Sequence, residues 1–314
     1  MPYNSIIDRT GAAALIPDEA SRQIIQNIPT RSTVMSMATR LPNMATSQQS
    51  MPVLSALPTA YFVNGDTGLI QTSKVEWADK YIYAEELGVI VPIPNQVLAD
   101  AGYDIWGQIR PLIEEAIGVA FDAAVLIGTN APANYPDDIL TAAVAASNSV
   151  VLGTGTDIYD DVMSESGLLA KIEADGYNVT GHIADLTVKS KLRGLRDADG
   201  NPIFTRNPQA ATMYDLDGAP IYFPENAAFT SASALMFSGN WKKLVYAMRQ
   251  DITYAMSTES VITDGAGNIL YNLFQQNMSA MRVVVRLGWQ VPNPINRVQT
   301  TEASRYPFGV LKAS

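Results

Sequence analysis

Several short stretches hold residue types that could do chemistry. Gly153-Thr-Gly155-Thr-Asp157 resembles a phosphate-cradling loop, but it lacks the third glycine and the Lys-Ser/Thr pair of a P-loop, and no convincing strand feeds it. It reads as a plain loop. Asp197-Ala-Asp199-Gly200-Asn201 opens like a calcium loop, because carboxylates two apart can share a cation. Its glycine is not at the sixth position and no bidentate Glu stands at the twelfth, so a turn after a helix is the expectation. His182, in Val179-Thr-Gly-His-Ile, is the single histidine. Any Ser/His/Asp triad would have to run through it, and without a Gly-x-Ser-x-Gly elbow it reads as structural or surface. Glu85 and Glu86 are neighbours on an expected strand, where adjacent side chains point to opposite faces, so they are one solvated and one interface charge and not an acid-base pair. Asp157, Asp160 and Asp161 are the carboxylates on which an enzyme would have to depend.

Composition narrows the chemistry further. The chain has 314 residues and no Cys, which excludes disulfides, thiolate metal sites, iron–sulfur clusters and cysteine nucleophiles. A metal site would need mostly carboxylate ligands and so a hard cation. With 47% hydrophobic and 17% charged residues the chain can bury a sizeable core, as two domains or as one with a large insertion. Twenty-one Lys+Arg against 31 Asp+Glu give a net charge of -10, which repels phosphate backbones. Arg9, Arg22, Arg31 and Arg40 form the only loosely basic strip, and no aromatics interleave it for base stacking. Asp8, Pro17, Asp18 and Glu19 interrupt the leading apolar run, which argues against a signal peptide. No stretch approaches the roughly 18 apolar residues of a membrane span, so an intracellular, soluble protein is expected. Asn178-Val-Thr and Asn277-Met-Ser then match the glycosylation pattern by chance.

The elements that must position these residues follow from periodicity. Asp18 to Ile28 predicts a short helix with Ala20, Ile24, Ile25 and Ile28 on one face, stopped by Pro29. So small a stripe needs another surface to pack on. Residues 57–82 predict a hairpin, with Tyr61-Phe62-Val63, a turn at 64–68 and a returning strand through Val75 and Trp77. An isolated two-stranded hairpin is marginal in water. The strand continues through Tyr81, Tyr83, Leu87, Val89 and Val91 to Pro92 and Pro94.

The strongest helix spans 104–127, roughly 36 Å at 1.5 Å per residue. Asp104 is placed to cap it, Gly128 to close it, and Pro111 to kink it or delay its start. The middle, 129–232, predicts helices near 158–174 and 185–195, a strand at 177–179 and another at 219–223. Strands follow at 234–237, 244–248, 252–256 and 282–291, the last alternating Val283, Val285, Leu287, Trp289 and Val291 with Arg282, Arg286 and Gln290. The class is α+β with an inserted middle.

The order of these features resembles a Hong Kong 97-type major capsid protein of a tailed bacteriophage or prophage. Ala60-Tyr61-Phe62-Val63-Asn64-Gly65-Asp66 through Val75-Glu-Trp77 looks like that family's extended loop. Leu87 to Leu98 is similar to its strand and short helix before a spine helix. Thr187 to Phe204 and Leu216 to Tyr222 look like axial-domain segments, and Phe237 to Tyr246 with Met281 to Pro292 look like closing peripheral-domain strands.

The resemblance implies an α+β capsid fold with an N-terminal arm at 1–35 and an extended β-hairpin loop at 57–82. It further implies a peripheral domain from 36–56, 83–128 (with the spine helix) and 233–314, and an inserted axial domain at 129–232. It implies a non-enzymatic subunit without cofactors that self-assembles as pentamers and hexamers into an icosahedral head, in the host cytoplasm and then the virion. The shell would enclose double-stranded DNA without sequence-specific grip, which suits the acidic charge. Partners would be further copies, a portal, and scaffolding or decoration proteins, with no membrane.

Loop residues Tyr61, Phe62, Asn64, Asp66, Lys74 and Trp77, and arm residues Arg22, Ile24, Ile25 and Arg31, would meet neighbouring subunits. Only a short arm precedes the match, implying a separate scaffold or none. Lys74 and Lys80 read as ordinary surface lysines and not as cross-linking groups. The alternatives are an encapsulin-type compartment or a carboxylate-dependent enzyme using Asp157, Asp160 or Asp161.

Overall fold

The computed structural model describes residues 32–63, 68–102, 104–197, 199–204 and 214–313. The expected helix at 18–28, with Arg22, Ile24, Ile25 and Arg31, lies outside them, as do Asn64 and Asp66. Ser32 caps helix α1 (Thr33–Met37), its hydroxyl accepting from the Met35 amide at 2.9 Å. Strand β1 (Thr39–Arg40) leads to a long antiparallel pair, β2 (Gln48–Ala56) and β3 (Glu76–Tyr83). The hairpin ladder therefore lies below the expected one. Tyr61-Phe62-Val63 is not a strand, and its place is taken by 48–56, whose Pro52 is tolerated because both strands of a two-stranded sheet are edges. Beyond Ala56 the limbs are held by a side chain: the Thr59 amide donates to Ser73 Oγ at 2.8 Å.

After β3, Ala84 breaks the run before β4 (Glu85–Pro94), which puts Pro92 and Pro94 on a sheet edge. A short helix α2 (Asn95–Asp100) precedes α3 (Ile105–Ile127), which continues through Pro111 with no delayed start. Asp104 occupies the N-cap position without making a side-chain cap bond, whereas Gly128 closes the helix at φ 67°, a conformation in which a side chain is strained.

The middle of the chain is built of short pieces: α4 (Ile139–Ala145), β5 (Ser149–Val151), α5 (Ile158–Met163), α6 (Leu168–Ala174), β6 (Gly181–Ala184), α7 (Leu186–Gly194), β7 (Asp215–Leu216) and β8 (Ala219–Tyr222). The single helix expected over 158–174 is two. Gly167 sits so close to the end of α5 that a Cβ there would meet the Val162 carbonyl oxygen at 2.8 Å, and this tight reversal breaks the helix. The strand expected at 177–179 lies later, at β6, because His182 and Ile183 pair with both β8 and a later strand.

That later strand is β9 (Met236–Gly239). The two strands expected at 244–248 and 252–256 are one, β10 (Val245–Ser257), interrupted by bulges between Met248 and Thr253 that shift register without ending the ladder. A hairpin absent from the sequence reading follows, β11 (Val261–Thr263) with β12 (Ile269–Asn272), before β13 (Met278–Gln290) and β14 (Phe308–Lys312).

Two larger sheets result, one in the order β1-β10-β13-β4 and one in the order β5-β14-β9-β6-β8-β7. The expected alternation on β13 holds. Val283, Val285, Leu287 and Trp289 are buried against Ile113, Ile117, Phe121 and Val125 of α3 in one apolar cluster, which also takes in α4 through Ile139 and Ala143. A second cluster sits on the six-stranded sheet, with Val162, Leu168, Val188, Leu192, Ile221 and Met236. Residues after 233 feed both sheets, since β9 and β14 pair inside the second.

Candidate intersubunit surfaces

The β2–β3 ribbon leaves apolar side chains uncovered by the rest of the described chain. Its root is anchored, with Ile82 and Ala84 buried against Met44 and Ala247. Its far end is not. Phe62 is 102% exposed, Leu69 87% and Ile70 85%, and Trp77, opposite Leu54 in the ladder, is 67% exposed; Tyr61 and Val63 are also exposed. Lys74 pairs with Glu76 on the same limb. Burying such apolar side chains against a partner is worth about 1.5–3 kcal/mol each. Four of them supply about 6–12 kcal/mol, comparable to the association cost of about 4–15 kcal/mol. The chemistry this surface can do is therefore adhesion. Of the residues expected here, Tyr61, Phe62, Lys74 and Trp77 do share one projecting ribbon.

A second uncovered surface went unread in the sequence. The β11–β12 hairpin exposes Val261, Ile269, Leu270, Tyr271 and Phe274, and a cleft of about 490 Å³ runs beneath it between Met256, Ile262, Leu273 and Arg282. Its signal was present as Val261-Ile-Thr, a turn Asp264-Gly-Ala-Gly-Asn268, and Ile269-Leu-Tyr. The turn is made as expected for such a sequence: Asp264 accepts from Asn268 Nδ2 at 3.0 Å and from the amides of Asn268 at 2.8 Å and Ala266 at 2.9 Å, bonds that hold its carboxyl below the ordinary range.

The described chain begins at a buried carboxylate. Asp122, on α3, accepts from Ser32 Oγ, from the Thr33 amide at 2.8 Å and from the Val34 amide at 3.3 Å, so it fastens α1 to the long helix. Burial pushes its carboxyl up to about 6 against the opposing pull of these hydrogen bonds.

The groups that could do chemistry are occupied structurally. Asp161 is buried and accepts from the Gly153 amide at 2.8 Å and the Gly155 amide at 2.6 Å, so the chain's own carboxylate sits where a phosphate would. Asp157 caps α5 through the Tyr159 and Asp160 amides, and Asp160 accepts from Thr156. Asp197 accepts from the Asp199 amide at 3.0 Å and the Asn201 amide at 2.7 Å, which is the expected turn. His182 is buried on β6, its Nε2–H donating to the Leu216 carbonyl at 3.2 Å while Nδ1 accepts from Ser238 Oγ at 2.8 Å. Burial pulls its imidazole down to about 4, so it is a neutral core residue. Glu85 accepts from Asn134 Nδ2 at 2.7 Å, while Glu86 is exposed.

Among the described residues no cluster of His, Asp and Glu is arranged to hold a metal, and no helix is long and apolar enough to cross a membrane.

The profile of the phage capsid family matches residues 12–298. The chain belongs to the phage capsid family. Within that family it is similar to the major capsid protein of Staphylococcus phage 80alpha, 25% identical over 278 residues that cover 87% of this chain and 81% of that one. A solved structure from Microbacterium phage Oxtober96 superposes with a TM-score of 0.83 at 32% identity, covering 99% of this chain and 100% of that one. One from Mycobacterium phage Cain gives 0.83 at 28% identity and 99% coverage of both. The α+β fold is thus of the Hong Kong 97 type, and the function is that of a major capsid protein.

Proposed function

We propose that this capsid protein assembles with copies of itself as pentamers and hexamers into an icosahedral head that encloses double-stranded DNA. The ribbon at 57–82 acts as the extended loop and α3 as the spine helix of the peripheral domain. The segment 129–232 acts as the axial domain at ring centres, and the arm at 1–35 lies on adjacent subunits. Residues 36–56, 83–128 and 233–314 complete the peripheral domain, except that β2 belongs to the ribbon and that β9 and β14 join the sheet of the middle segment. One observation carries this reading: Phe62, Leu69, Ile70 and Trp77 stand exposed on one ribbon. An apolar ribbon that its own fold cannot cover is stabilised by a neighbour, and head-to-tail contacts of that kind close into rings and shells. The net charge of -10 supports a wall that surrounds DNA without gripping it.

Deleting residues 62–76 is expected to leave a folded subunit that no longer forms shells, checked by sedimentation velocity and negative-stain microscopy. Normal shells from the deletion would overturn the ribbon's role. Wild-type particles filled with protein cargo and lacking a portal vertex would overturn the viral head.

A further inference from the structure

The ribbon is held by residues from a distant part of the chain. From β13 to β14 the backbone runs through 291–307, and together with Gln290 it touches the ribbon along the length of its ladder, from Tyr81 near the root to Leu54 and Pro58 near the turn end. The Ile295 amide donates to the Leu54 carbonyl at 3.0 Å, Arg297 Nη2 donates to the Pro58 carbonyl at 2.9 Å, and Lys80 Nζ donates to Glu302 Oε1 at 2.7 Å. Just before this segment, Gln290 Nε2 donates to the Tyr81 carbonyl at 3.1 Å. Both limbs of the ribbon are held, Leu54 and Pro58 on one and Lys80 and Tyr81 on the other.

The same segment is shaped from within by a buried guanidinium and fixed at its other side to the second sheet's half of the molecule. Arg305 donates to the Asn293 carbonyl at 3.0 Å, to Gln299 at 2.9 Å and to Thr300 at 3.1 Å, and so folds the segment into a loop around itself. Opposite the ribbon, Asn296 Nδ2 donates to the Asp175 carbonyl at 2.6 Å and the Tyr177 hydroxyl donates to Asn293 Oδ1 at 3.0 Å. Asp175 closes α6 and Gly176 follows, where a side chain would collide with Val298 Cβ at 2.9 Å. The side of the ribbon ladder and the end of α6 are thus clasped to one loop from two sides.

We propose that residues 292–305 are a strap that couples the swing of the ribbon to the position of the α6 end, with Arg297 and Glu302 as its positioning residues and Arg305 as its internal frame. This goes beyond the assembly reading above and rests on it only for its consequence. In a shell, the contact made by the ribbon with one neighbour and the placement of the middle segment toward others would then be set together by one loop. The ion pair and the Arg297 bond are exposed and add little to global stability, so their effect is on the ribbon's angle.

The chain has no cysteine, so two introduced ones can be labelled cleanly. Spin labels at Thr72→Cys on the exposed ribbon and Lys191→Cys on α7 report the ribbon-to-body distance by pulsed electron resonance in unassembled full-length subunits. With the strap intact a single narrow distance distribution is expected. Lys80→Met with Arg297→Ala should broaden it several-fold at unchanged urea midpoint, whereas the reversed pair Lys80→Glu with Glu302→Lys, with Arg297 retained, should keep most of the narrowness. A distribution equally broad in the parent, or unmoved in the double variant, would overturn the strap. Because the distance is read before assembly, a parent that never forms shells bears on the assembly reading alone. Parent shells with an insensitive distance refute the strap alone.

Discussion

Asp122 is a single carboxylate on which the start of the described chain depends. It receives Ser32 Oγ and the Thr33 and Val34 amides at once, and Asn226 Nδ2 reaches the same group at 3.5 Å. Removing it leaves several buried donors without acceptors, each costing about 1–3 kcal/mol, while relieving the desolvation that raised its own pKa. The unmet donors outnumber the relieved charge. Asp122→Ala is therefore expected to lower stability by about 1–3 kcal/mol net, read from the urea midpoint at neutral pH. An unmoved midpoint would mean that α1 is held by its apolar contacts alone.

At the scale of elements, the two projecting hairpins differ in what supports them. The β2–β3 ribbon is rooted by Ile82 and Ala84 and strapped from 292–305, so its polar and apolar ends have separate tasks. The β11–β12 hairpin is rooted by Leu273, Met278 and Ala280 in a small cluster of its own and turns on Asp264. Leu270 and Phe274 are outside that root and exposed. Leu270→Ser with Phe274→Ser is accordingly expected to keep the subunit's midpoint within about 0.5 kcal/mol, as surface changes usually do. If the hairpin meets a neighbour, the loss should fall on shell yield, measured by sedimentation and micrographs. Undiminished yield would assign this surface no part in assembly.

For the whole molecule, two buried groups give opposite responses to acid. Asp122 binds its proton more tightly when folded, about 6 against 3.8, so its contribution grows as pH falls through that window. His182 binds its proton less tightly when folded, about 4 against 6.5, so its contribution is lost as pH falls from 6.5 to 4. Each amounts to about 3 kcal/mol at most, and over the shared window, about pH 4–6, they nearly cancel. Unassembled Asp122→Asn subunits should therefore lose stability with acid more steeply than the parent, and His182→Gln subunits less steeply, by urea midpoints across that range. Parallel profiles for all three would show that neither group is titrating in the folded subunit.

Local pattern was enough for the α+β class, the 105–127 helix and its Gly128 end, and the inward face of β13, because each depends on the period or chemistry of nearby residues, while it left His182 as structural or surface until its burial decided. The ribbon's aromatic residues were legible as types, since Phe62 and Trp77 flank a turn cluster with little else to pack on. Their exposure was not, because burial depends on what the rest of the fold brings near. Tertiary structure alone decided that β2 and not 61–63 forms the ladder with β3, and that Asp157, Asp160 and Asp161 are used by amides. It alone sent the final strand Phe308–Lys312 back between β5 and β9. A period of two tells which face a strand buries and says nothing of its partner. Pairing across tens or hundreds of residues is settled by which apolar surfaces close best together, and that is a property of the whole chain.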